Sequence, residues 1–249
     1  MRKATALWKS FLWSICILLF PVLSGTISAV LSLRTIETLL LQGICMLLSL
    51  AIPLTLILVN KWNWNEIGFG QVDWNGCKKT IYFLPLAAIL IPAAVKGFCI
   101  ESAAYVWGNL FLYFAVGAAE EVDFRGIIPN ELSTVFSRKG VVFLSAAIFG
   151  IGHIATAFAA DSGLEICLTV LNAFIFGWLA IEMKLICKNI APIILLHFLF
   201  DFETKIVVMD GSELLVAECV RGAIMVAAAV WFAVILVGMK QENQIEHGE

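Results

Sequence analysis

The sequence predicts an all-α fold, a polytopic transmembrane helix bundle of about eight transmembrane helices with both termini cytoplasmic. Three observations carry this expectation. Hydrophobic residues fill 61% of the 249 positions and charged residues 14%, whereas soluble domains run at about 45–50% and about 25%. Apolar runs of about 20 residues, the length that crosses a bilayer, recur along the whole chain. The cations also fall unevenly between the segments that join those runs.

Taken in order, Arg2, Lys3 and Lys9 precede an apolar run over 11–33. It exceeds the roughly 7–15 residues of a signal-peptide core, so it reads as a retained first span. The next candidates are 38–59, 80–100, 103–124, 140–160, 164–183, 190–203 and 214–239. Pro85 and Pro92 should kink the third, Pro129 should help to end the fourth, and the seventh is short enough to need tilt or shelter among neighbours. Between spans two and three, the polar stretch from Lys61 to Lys79 carries Trp62 and Trp64, which suits the membrane surface. Residues 241–249 form a polar tail, expected to be disordered, and 1–240 read as a single domain.

With the N-terminus inside, twelve cations face the cytoplasm (Arg2, Lys3, Lys9, Lys61, Lys78, Lys79, Arg125, Arg138, Lys139, Lys184, Lys188, Lys240). Four face outward: Arg34, Lys96, Lys205 and Arg221. That bias sets the orientation and implies a multi-pass protein of the cell membrane. A net charge of −3 with no basic run argues against a nucleic-acid partner. The seven cysteines lie at least 20 residues apart without a C-x-x-C, as buried small hydrophobes do. There is no nucleotide-binding glycine loop, no H-E-x-x-H and no G-x-S-x-G.

The chemistry is concentrated in a few ionisable groups inside apolar runs. A carboxylate or guanidinium at hydrocarbon depth costs roughly 2.5–3.5 kcal/mol on insertion scales, so such groups are functional candidates. Glu120, Glu121, Asp123 and Arg125 follow the run from Trp107 to Ala119. Helical spacing pairs Glu121 with Arg125 four residues on, as an anchor at the helix end, and leaves Glu120, rotated by about 100°, to face a cavity. Asp123, one turn from Glu120, either acts on it as a like charge or faces cytoplasmic water, and water is preferred. His197 and Asp201 are four apart, so the carboxylate can fix the imidazole tautomer. His153 lies four residues after Phe149 and is flanked by Gly150 and Gly152, which let another helix come close. Counted in helical turns, Glu120, His153 and His197 lie between the cytoplasmic half and the midplane, where spans four, five and seven can bring them to one cavity opening inward.

These residues fall into three motifs. They are E-E-x-x-x-R at Glu120-Glu121-Val122-Asp123-Phe124-Arg125 followed by Gly126, F-x-x-x-H at Phe149 to His153, and H-x-x-x-D at His197 to Asp201 after Asn189-Ile190-Ala191-Pro192-Ile193. In order and spacing over 115–205, they resemble the CPBP intramembrane endopeptidases (CAAX protease and bacteriocin-processing, also called Abi), with a motif-bearing core at 103–205. The resemblance implies an intramembrane protease that hydrolyses a peptide bond in a membrane-associated or lipidated peptide or protein, including bacteriocin processing. It implies that Glu120 activates water, His153 helps to position it, and His197 with Asp201 serves the oxyanion. An ionised Asp only accepts hydrogen bonds, so Asp201 is read as orienting His197. The preferred chemistry is a glutamate protease without a cofactor. The metalloprotease-like alternative uses zinc, with Glu120, His153 and His197 as ligands. Asp123 stands where the family has an apolar residue. Two other readings are a non-catalytic immunity or regulatory protein that binds on the same fold, and a transporter, which predicts repeats that are not found.

Overall fold

The computed structural model describes every residue except 82–94, 99, 159–161, 208, 210 and 248–249. The described chain is helical: α1 (Arg2–Val30), α2 (Thr35–Ser49), α3 (Ala51–Asn60), α4 (Trp64–Ile67) and α5 (Trp74–Ile81), then α6 (Ala103–Glu121). A π-helical turn at Val122–Ile127 leads into α7 (Ile128–Ser133) and α8 (Arg138–Gly152). A 3-10 turn at His153–Phe158 is followed by α9 (Gly163–Cys187), α10 (Ala191–Ile206) and α11 (Gly211–His247). No strand occurs among the described residues, and Phe69 and Asn189 form an isolated bridge.

Among the described residues, five stretches are long and apolar enough to cross a bilayer: Arg2–Val30, Thr35–Asn60, Arg138–Ala155, Gly163–Cys187 and Gly211–Lys240. The expected fourth and seventh spans are α6 and α10, helices of 19 and 16 residues outside that set. Most of the expected third span, with Pro85 and Pro92, lies outside the described residues. The second span stands as Thr35–Asn60, interrupted at Leu50 near Pro53, which has no N–H to continue the ladder into α3. Two expectations change. Pro129 does not end the fourth span: it sits in the first turn of α7, where a missing N–H costs nothing. The tail is not separate either, since α11 continues through His247.

The surfaces are arranged for lipid. On α1, Ser10, Ser14, Ser24 and Ser28 are buried, while Leu12, Leu19, Val22 and Leu23 are exposed. Without a hydrophobic force between helices, small polar residues make the contacts and large apolar ones face outward. The main core gathers Phe124, Phe149, Phe176, Ile193, Met225 and Phe232 between the π turn and α8 to α11. Gly117 brings α6 and α10 together, since a Cβ there would stand 3.2 Å from the Ile194 carbonyl oxygen.

Residues 62–73 form a hook over the corner between α9 and α10. Ile190 N–H donates to the Gly68 carbonyl and Asp73 N–H to the Cys187 carbonyl, both at 2.9 Å. Gly68 takes φ +111°, a left-handed conformation open to glycine, to make the turn. The Gly76 N–H, donating to the Asp73 side chain at 2.9 Å, holds that carboxyl below its usual range, and Lys188 at 3.3 Å adds to the effect.

Candidate active site

The site is built on the junction between α6 and the π turn. Glu120 and Glu121 close α6, and Arg125 lies in the wider turn that follows. Such turns favour functional sites because they break the regular ladder. Here two successive carbonyls of the turn are served from other helices. Ser145 Oγ donates to Phe124 O at 2.8 Å, and Lys184 Nζ donates to Arg125 O at 2.6 Å.

Glu121 pairs with Arg125 as its spacing predicts, Oε2 lying 3.0 Å from Nε, with both side chains 0% exposed. Its other oxygen takes His197 Nδ1 at 2.6 Å. The expectation that Glu121 merely anchors a helix end is therefore too narrow, because it also holds an imidazole from α10. Asp201 does contact His197, but at Nε2 and 3.4 Å. The Nδ1 partner, Glu121, comes from a distant part of the chain that no i, i+4 rule reveals. Glu120 lies on the same side as Asp201, with Oε2 3.9 Å from His197 Nε2.

His153 lies not in α8 but at the start of the 3-10 turn that follows it. It follows the last residue of α8, its Nδ1 is 3.0 Å from the Phe149 carbonyl oxygen, and its ring lies 4.6 Å from that of Phe149. The same Phe149 ring lies 6.0 Å from His197 and carries the Arg125 guanidinium at 4.1 Å. Phe149 thus joins all three motifs. Gly150 lets α9 approach this corner, since a Cβ there would be 2.9 Å from Phe174 Cβ.

A cavity of about 580 Å³ runs from His153, His197 and Asp201 past Thr169 and Phe200 to Glu218. Its walls are the first half of α9, the second half of α10 and the start of α11. It therefore extends toward the end of the bundle opposite Lys139 and Lys188, not toward the lysine-rich end, where an inward opening was expected. Asp123 departs from expectation as well. It is 0% exposed, and neither oxygen has a hydrogen-bond partner within the protein, so it does not face water.

Two groups escaped the sequence reading. One is Lys184. The other is a buried network at the far end of the cavity, where Arg221 binds Glu203 and, at 2.8 Å, Glu218, which takes Asn172 Nδ2 at 2.7 Å. Arg221, one of the cations expected to face outward, is 1% exposed. The i, i+3 pair Glu218–Arg221 inside an apolar span was the available signal. Among the described residues, no three His, Cys, Asp or Glu side chains are arranged to hold a metal ion, Glu120, His153 and His197 included.

Fold and site together define a helix bundle of membrane type with a buried glutamate–histidine centre beside a deep cavity. Residues 102–202 match the family model described as type II CAAX prenyl endopeptidase Rce1-like. This is the CPBP/CAAX protease family that the three motifs resemble, and the match makes a CAAX-type intramembrane protease the general reading of that segment. No curated protein and no solved structure matches the chain.

Proposed function

We propose that the chain is an intramembrane endopeptidase that hydrolyses a peptide bond in a membrane-associated or lipidated peptide or protein, with Glu120 as the group that activates water. One contrast carries the proposal. Glu121 is held on two sides, by the Arg125 ion pair and by His197 Nδ1, whereas Glu120 meets His197 in a longer contact, Oε2 lying 3.9 Å from Nε2, the ring nitrogen that also faces Asp201. A carboxylate left beside a fixed imidazole is placed to accept a proton.

The substrate carbonyl enters between His153 and His197. Glu120 takes a proton from water as the oxygen attacks the carbonyl carbon, and His153 helps to place that water. Glu121 holds the Nδ1 face of His197, so a proton on Nε2 makes the ring a donor to the tetrahedral oxygen. Asp201, at 3.4 Å, orients the ring and balances its charge. The C–N bond then breaks, and the leaving amine receives the proton from Glu120. The proposal includes a multi-pass protein of the cell membrane, eight spans with both ends cytoplasmic, no nucleic-acid partner and no required cofactor.

The test incubates purified protein with a prenylated CAAX peptide and with an unmodified membrane-spanning peptide, reading products by mass spectrometry. Wild type should cleave at least one of them. Glu120→Gln should lower kcat by at least about 100-fold, the lower range for a general base, and a zinc chelator should leave the wild type unchanged. Equal cleavage by Glu120→Gln removes the mechanism, and loss on chelation restores the zinc alternative. A cellular phenotype that survives Glu120→Gln, with no cleavage, makes the chain a binding protein.

A further inference from the structure

Lys184 lies in the last turn of α9, 8% exposed, at the end of the bundle away from the cavity. Its Nζ donates to two backbone carbonyls from different parts of the chain, Arg125 of the π turn at 2.6 Å and Glu66 of the surface hook at 2.9 Å. A buried carbonyl left without a partner is costly. A wide turn displaces its carbonyls from the usual ladder, so an outside donor decides whether this one persists. An ammonium on a flexible stem has three donors and can serve converging acceptors in this way.

The hook also presses on the turn directly. A Cβ at Gly126 would stand 2.9 Å from Ile67 Cγ2, so turn and hook touch without a gap. From the Arg125 backbone the contacts run on to the reacting groups, Arg125 Nε to Glu121 Oε2 at 3.0 Å and Glu121 Oε1 to His197 Nδ1 at 2.6 Å. A shift of the Arg125 carbonyl therefore moves the guanidinium, the carboxylate it holds, and the imidazole.

We propose that Lys184 is a positioning residue: its ammonium, tied to the Arg125 and Glu66 carbonyls, sets the π turn and through Arg125 and Glu121 fixes His197. The catalytic part of this inference rests on the hydrolysis proposed above, while the positioning of His197 stands by itself.

The test compares wild type, Lys184→Met and Glu120→Gln in detergent. It reads peptide cleavage with the same two substrates, thermal unfolding, and 15N spectra of labelled histidine, of which the chain has three. Lys184→Met should lower kcat by about 10- to 100-fold with KM within about twofold, the scale of a misplacement near 1 Å. It should also move the His197 Nδ1 resonance while leaving His247 in place. Should Lys184→Met fail to fold, Lys184→Gln, one bond shorter and uncharged and so unable to serve both carbonyls as the ammonium does, should still move the His197 resonance, and an unmoved resonance overturns the proposal in this variant too. An unchanged His197 resonance overturns the proposal, whether or not activity falls. If Glu120→Gln still cleaves, the hydrolysis reading fails, and the His197 resonance still decides the role of Lys184.

Discussion

Glu121 has Arg125 Nε at 3.0 Å and His197 Nδ1 at 2.6 Å, whereas the contact of Glu120 with His197 is 3.9 Å long. Their removal should therefore have different consequences. Glu121→Gln leaves a buried guanidinium without its charge partner, and breaking such a pair typically costs about 3–5 kcal/mol. Thermal unfolding in detergent should show that loss, whereas Glu120→Gln should melt within a few degrees of wild type while losing activity. Equal destabilisation by the two variants would contradict this division. The spacing of Glu121 and Arg125 was enough to foresee their pair, because i, i+4 contacts are local. The link from Glu121 to His197 joins positions 76 apart, and nothing in the local pattern encodes it. Asp123 was misplaced for the same reason: nearness to a helix end suggests water, and the hook and neighbouring helices that cover the turn are set by tertiary packing.

At the scale of elements, the site depends on how closely α6 and α10 pack. Gly117 on α6 faces the α10 backbone, where an added Cβ would meet Ile194 O at 3.2 Å and Phe198 N at 3.3 Å. Gly117→Leu should push α10 outward, lengthen the contacts of His197 with both glutamates and reduce cleavage by about 100-fold, as expected for a displacement near 1 Å. Gly117→Ala, which needs only a few tenths of an ångström, should keep most of the activity. If both variants cleave like wild type, the close crossing is irrelevant to the site. The helices themselves were legible from their apolar runs, but the turn at 122–127 was not. The wider turn forms where Ser145 and Lys184, from other helices, serve its carbonyls. The break at Leu50 follows from Pro53, which lacks the N–H that would continue the ladder.

For the whole molecule, two buried guanidiniums bracket one row of aromatic rings. Arg125 lies 4.1 Å over Phe149, Phe176 stacks on Phe200 at 6.0 Å, and Arg221 lies 5.2 Å over Phe200. Arg221 also ties α11 to Glu203 of α10, closing the outer wall of the cavity. Arg221→Leu should lower stability by about 3–5 kcal/mol, because buried carboxylates lose their partner. The double variant Arg221→Leu with Glu203→Leu should recover part of it, measured by the same unfolding assay. A single variant as stable as wild type would show that the network carries no load. The sequence by itself determined the helical class, the apolar runs, the three motifs and the near-neighbour ion pair, because composition and helical period are properties of short stretches. Tertiary structure alone decided that Glu121 holds His197, that Asp123 is sealed from water, that the cavity runs away from the lysine-rich end, and that Lys184 and Arg221 are buried. Each of these depends on contacts between residues far apart in the chain, and those form only when the helices pack.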